Sequence, residues 1–227
     1  MVRICLFCLP LLLATEAARA QLFSSKVALN DTGKIYLRFS AFGLIDVLDG
    51  NFTVGGEYRF NKSWSVTMDA GYIFYSRYVI KSDRSGGILL RSGIRKYAGK
   101  KLDYFFELQF HYKEVMYHVN DWIERDVVDG MSAYEQLTTF RYLKRVFGVQ
   151  VLSGGKEFLT RDHRLFLEVT AGLGLHYKIT GPYHENNSRY EDPYALVVNS
   201  KENLSTPPTR TVVPALPINI RLVYRLR

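Results

Sequence analysis

Residues 217–227 read PINIRLVYRLR. Apolar side chains fall at every second position, Ile218, Ile220, Leu222, Tyr224 and Leu226, with Asn219, Arg221, Val223 and Arg225 between them. A period of two belongs to a strand, whose side chains point alternately to opposite faces. One face of this strand is greasy. The other carries two arginines, so the two faces ask for opposite environments.

The same alternation recurs upstream. Residues 64–76, WSVTMDAGYIFYS, set Trp64, Val66, Met68, Ala70, Tyr72 and Phe74 against Ser65, Thr67 and Asp69. Residues 102–113, LDYFFELQFHYK, set Tyr104, Phe106, Leu108, Phe110 and Tyr112 against Asp103, Glu107, Gln109, His111 and Lys113. Comparable stretches lie at 34–45, 51–61, 87–98 and 164–178. A less regular one runs from about Thr138 to Leu152, where Arg141 and Arg145 fall on the apolar side. The chain is therefore all-β with eight predicted strands, the smallest number that closes as a bacterial transmembrane barrel.

The links between strands carry the same message. Those after strands two, four and six read as turns, and those after three, five and seven as longer loops, the last spanning 180–213. Only DVLDG, after the first strand, breaks that alternation. Short and long connections alternate when one rim of a barrel faces the periplasm and the other faces outside. These features predict an eight-stranded antiparallel up-and-down transmembrane β-barrel over residues 33–227, with a long extracellular loop at 180–213.

In such a barrel lipid solvates the outward face, while side chains fill the interior. Arg38, Glu57, Arg59, Asp69, Arg91, Arg95, Glu107, Glu168, Arg221 and Arg225 are accordingly expected inside as a structural ion-pair network, because buried charge is tolerated only when paired. Trp64, Tyr72, Phe74, Tyr104, Tyr112 and Tyr224, near strand ends, suit the aromatic girdles of the two interfaces. The alternation also fits the opposite phase. A secreted soluble lipocalin-like barrel would place its apolar face inside around a small apolar ligand.

The leader decides the compartment. Residues 1–20, MVRICLFCLPLLLATEAARA, have an early arginine, a short apolar run and a small-residue Ala18-Arg19-Ala20 end, the layout of a cleaved Sec signal peptide. Residues 21–32 then form a short periplasmic segment. Cys5 and Cys8 are both in the leader, so the exported chain lacks the thiols for disulfides, zinc–thiolate sites or cysteine nucleophiles. The net charge of +8 loses two arginines and one glutamate with the leader, leaving +7. For an exported protein, that surplus points to lipid phosphates and lipopolysaccharide, not nucleic acid.

The stretches VGGEYRFNKSWSVTMDAGYIFY (54–75), GILLRSGIRKYAGKKLDYFFELQFHYK (87–113) and FLEVTAGLGLHYK (166–178) resemble a Bacteroidetes outer-membrane β-barrel family catalogued as a domain of unknown function. The resemblance implies a small barrel similar to OmpA and OmpX in the outer membrane of a Gram-negative bacterium, without a cofactor and with no catalytic residues to carry over. It departs from the usual pattern at the end, where Arg227 stands in place of an aromatic C-terminal residue.

Chemistry is sparse in this sequence. His111 and His176 share the inward face, but no close His pair suggests a metal ligand set. A lipid-modifying outer-membrane enzyme would need His, Ser and a carboxylate together, and His163 or Ser205 sit in no matching motif. The expectation is a non-enzymatic monomer with a plugged lumen. Its role is structural, or lies in contact with an extracellular glycan or protein through Tyr183, His184, Tyr190 and Tyr194 of the long loop.

Overall fold

The computed structural model describes residues 34–40, 42–45, 49–79, 82–98, 103–129, 131–183, 188–190 and 209–226. The expected signal peptide, the 21–32 segment and most of the 180–213 loop lie outside them. Nine strands are present among the described residues: β1 (Lys34–Ser40), β2 (Asp49–Arg59), β3 (Trp64–Ser76), β4 (Ser82–Ala98), β5 (Tyr104–Arg125), β6 (Tyr134–Phe158), β7 (Leu165–Pro182), β8 (Thr209–Ala215) and β9 (Ile218–Arg225). A 3-10 turn, Phe42–Ile45, follows β1.

All pairings are antiparallel and join sequence neighbours from β1 to β7, after which β9 bridges β7 to β1. The sheet therefore closes into a ring. The expected eight strands are nine because the last one is broken. β8 pairs with Gly174–Thr180 of β7 and β9 with Leu165–Ala171, so the two lie in line along one neighbour. The break falls at Leu216 and Pro217, where a proline has no N–H for a ladder and offers only its carbonyl, to Gly172 N at 3.0 Å.

The ring is staggered. Cross-strand partners lead from Tyr112 through Leu90, Ala70, Val54 and Phe39 to Leu222. In the other direction they lead through Phe147 and Tyr177 to Val212. Those end points are ten residues apart in sequence. A stagger of ten over eight ring positions tilts the strands by about 40° from the axis.

Among the described residues, 60–63, 103 and 159–164 lie at the first rim, and 42–45, 77–79, 126–129, 131–133 and 183 at the second. The long links expected after strands three and five are instead 77–81 and 126–133, because β4, β5 and β6 extend past their sequence-read bounds toward the second rim. Asp126 and Asp129 help turn the β5–β6 tip, with φ of 50° and 49°, a left-handed geometry that Asp accepts more readily than most residues.

Burial follows the period of two, with an inverted sense. Through the middle of the ring the polar residues are inside and the apolar ones outside: Met68 is 65% exposed and Leu173 68%, while Arg95 and Glu168 are 0%. Toward the second rim the sense flips. On β5 the outward apolar run Tyr104, Phe106, Leu108, Phe110 and Tyr112 gives way to Glu114, His118 and Asn120, while Val115, Tyr117, Val119 and Ile123 turn inward and are fully buried. On β6 the outward Val151, Val149 and Phe147 give way to Arg145 and Arg141, while Tyr142 and Phe140 are buried inside. Glu114 and Arg145 are register partners, so both strands change sense at one level.

Candidate functional site

The centre of the lumen is organised by Arg95. It stands on β4 directly beside Glu107 of β5, and the ring curvature carries Glu57 of β2 and Glu168 of β7 against it. Arg95 Nη1 donates to Glu57 Oε2 at 2.9 Å and to Glu168 Oε2 at 2.7 Å. Its Nη2 donates to Glu168 Oε1 at 2.9 Å and Glu107 Oε2 at 2.6 Å. The guanidinium also lies 3.7 Å from the centre of the Phe105 ring. Remaining carboxylate lone pairs are used as well: Tyr97 donates to Glu57, and Thr67 and Gln109 donate to Glu107 at 2.8 and 3.0 Å. Such satisfaction is what makes dry charge tolerable.

A second group lies beside it. Arg38 Nη1 is 3.4 Å from Asp69 and its Nη2 3.5 Å from Glu168; Arg221 reaches Glu168 at 3.1 Å and Asp69 at 3.6 Å. Gly55, the β2 partner of Asp69, leaves the room this carboxylate occupies, since a Cβ there would collide with Asp69 Oδ1. Arg91 is partly buried, and its Nη1 donates to Asn219 Oδ1 across the lumen at 2.9 Å.

Two residues expected in this network stand apart from it. Arg225 lies at the first rim, where Nη2 donates to the Asp162 carbonyl at 3.4 Å, because the last inward position of β9 has already left the lumen. Arg59 is buried, but its Nη2 donates to the Lys62 carbonyl at 2.9 Å and its guanidinium covers the Tyr97 ring at 3.9 Å. Lys156 was not foreseen. Its ammonium lies 4.2 Å from the Tyr97 ring and 4.8 Å from Phe166, on β6 beside Glu168 of β7; the sequence, which ends this strand at about Leu152, carries no signal for it.

Toward the second rim His111 and His176 stack at 4.8 Å with an interplanar angle of 18°. They flank Gly148 on the strand between them, where a Cβ would collide with the His176 ring. Pairing through an intervening glycine leaves no short His spacing in sequence. Beyond them an apolar cluster of Ile73, Leu89, Val115, Tyr117, Phe140 and Tyr142 fills the ring.

The segment 188–190 straps this cluster. Arg189 exchanges two backbone hydrogen bonds with Glu124, at 2.8 and 3.0 Å, and its side chain pairs with the same glutamate at 2.5 Å. Tyr190 is buried against Phe140 and Tyr142 and donates to Asp121 at 3.1 Å. Tyr190 is thus an inward anchor and not the surface contact expected, because the mouth beneath the loop is apolar. Tyr183 remains half-buried at the end of β7, and its N–H donates to the Arg141 carbonyl at 2.8 Å. His184 and Tyr194 lie outside the described residues.

His163 sits in the β6–β7 turn with φ of 55° and packs edge-on against Phe158 at 4.6 Å. Ser205 lies outside them. No group of three or more His, Cys, Asp or Glu among the described residues could hold a metal ion, and no helix there is long and apolar enough to cross a membrane. In comparisons with family models, curated proteins and solved structures, nothing matches the chain.

Proposed function

We propose that this chain is an integral β-barrel of a bacterial outer membrane, of the Bacteroidetes type its sequence resembles, exported by a Sec signal. Its lumen is plugged, it has no catalytic role, and its activity lies in what its second rim touches. The observation that carries this reading is the reversal of polarity along β5 and β6. The wall is apolar outside between Tyr104 and Tyr112. Above it the outward face turns mainly polar at Glu114, His118 and Asn120 of β5 and at Arg145 and Arg141 of β6, with Trp122 and Leu137 exposed nearer the tip. The inward face turns mainly apolar there, a pattern that matches hydrocarbon followed by water.

Dimensions support it. Eight residues separate Tyr104 from Tyr112, which at about 3.3 Å each and a tilt of about 40° gives roughly 20 Å of height. The girdle rings extend that toward the ~25 Å apolar band of outer-membrane barrels. Trp64, Tyr58, Tyr104 and Tyr224 stand exposed near the first rim, and Phe52, Tyr72, Phe74 and Phe147 nearer the second. A lipocalin-like ring would reverse the central layer and bury its apolar face. Here Arg95, Glu107 and Glu168 occupy that space.

Cell fractionation tests the reading. The full chain, expressed in a Gram-negative host, should stay with outer membranes through a carbonate wash and migrate differently on gels before and after boiling. Recovery in the soluble periplasm as a folded protein would overturn it. Partner contact is tested separately by deleting 191–206 and asking whether intact cells still capture glycan or host protein.

A further inference from the structure

We propose that the lumen binds a small protonated oxyanion, of the hydrogen phosphate class, beside Asp69 and in the grip of Arg38, Arg91 and Arg221. The first ground is charge. Arg95 engages Glu57, Glu107 and Glu168 through short bonds of 2.6–2.9 Å. Arg38, Arg91 and Arg221 are left to share Asp69, one edge of Glu168 and, 4.0 Å from Arg38 Nη2, Glu107. Their contacts with Asp69, 3.4 and 3.6 Å, are longer than the 2.7–2.9 Å of a well-made charged hydrogen bond. Arg91 has no carboxylate partner among the described residues, and its electrostatic neighbours include Arg221, Asp69 and Arg38.

The second ground is hydrogen bonding. Arg38 Nε, Arg91 Nε and Arg221 Nε make no hydrogen bond to the protein, and Arg38 Nη1 and Arg221 Nη2 have only their long ion pairs with Asp69. Arg38 and Arg221 are each 1% exposed, so the site is built from buried side chains. His111, the cross-strand partner of Arg91, leaves its Nδ1 without a partner in the same layer. Buried N–H donors without acceptors call for an acceptor, and guanidinium donors favour a negative one. Guanidinium forks match oxyanions.

Neighbouring layers set the size. Arg95 and its three glutamates close the site toward the first rim, and the His111–His176 stack closes it toward the second. The proposed occupant is therefore a small inorganic ion. Asp69 chooses among such ions, because its Oδ1 accepts no hydrogen bond and has only the 3.4 Å ion pair with Arg38 Nη1. A protonated oxygen can donate to it, whereas fully deprotonated sulfate would repel it. Hydrogen phosphate keeps that proton at neutral pH.

The inference concerns the inward residues only, so it stands or falls apart from the membrane reading, which cell fractionation tests. The full chain, folded in detergent, is titrated with inorganic phosphate or sulfate at fixed ionic strength while its unfolding temperature is followed. Phosphate should raise that temperature saturably, sulfate should need at least tenfold higher concentration, and Arg91→Gln should lose the phosphate effect. Absence of a saturable phosphate effect, or an equal one in Arg91→Gln, overturns the site. Equal action of sulfate overturns the choice of a protonated ion. Should Arg91→Gln not fold, phosphate released on acid denaturation of phosphate-loaded, desalted wild type decides: about one per chain supports the site, and none overturns it.

Discussion

Arg95 and Glu168, 73 residues apart in sequence, meet at the centre of the ring through two hydrogen bonds of 2.7 and 2.9 Å, with neither side chain exposed. The same glutamate also receives Arg38 and Arg221. Removing it leaves three guanidiniums without their shared partner. Glu168→Ala should destabilise the fold by about 3–5 kcal/mol. Urea unfolding in detergent, followed by the fluorescence of Trp64 and Trp122, measures this. An unchanged midpoint would mean that water reaches the pair.

Arg221 and Arg225 lie four residues apart on one face of β9 but do different work. Arg221 is buried on Glu168, whereas Arg225 meets a backbone carbonyl at the rim. Replacing Arg221 with Gln should lower stability by about 2–4 kcal/mol, and Arg225→Gln by less than about 0.5 kcal/mol. Parallel urea titrations compare them, and equal losses would contradict the placement of the rim.

Leu108 and Met68 project outward near mid-height of the apolar band. If hydrocarbon surrounds them, Leu108→Arg and Met68→Lys should each cost about 2–4 kcal/mol. Refolding yield into lipid vesicles and unfolding in them give the readout. In a water-soluble ring the same changes would stay within about 0.5 kcal/mol and improve solubility.

The strap at 188–190 is held by Tyr190 on Phe140, Tyr142 and Asp121. Tyr190→Ala should loosen it while leaving the ring closed. Trypsin cleavage after Arg189 should then speed up at least tenfold, with the boiled-to-unboiled gel shift preserved. A rate unchanged from wild type would mean that the Arg189–Glu124 bridge holds the strap alone.

Much of this was legible in the sequence, and the failures have physical causes. β3 was read at its observed bounds, Trp64 to Ser76, because its alternation never changes sense. Arg38, Glu57, Asp69, Arg95, Glu107, Glu168 and Arg221 were assigned inward from period alone, and all are buried. Residues 114–125 of β5 read as loop because the alternation reverses at Glu114: each face changes polarity while the strand continues. Strand β8 was hidden by Pro214 and Pro217, which read as loop residues although Pro214 pairs in register with Leu175. Tyr190 was placed outside because the aromatic slot that holds it is assembled from β6, and sequence neighbours carry no trace of it.

The closing seam of the ring has a consequence for assembly. β1 and β9 pair only along Tyr36–Phe39 and Leu222–Arg225, whereas β5 and β6 pair along the whole of β5. Hairpins between sequence neighbours close small loops, but Tyr36 meets Arg225 only after nearly the whole described chain has been brought round, at a larger entropic cost. The local hairpins therefore form first and the seam last. Until then β1 and β9 present two bare edges, each able to pair with another chain. Covering either edge during that interval would protect the chain from pairing with others before it closes.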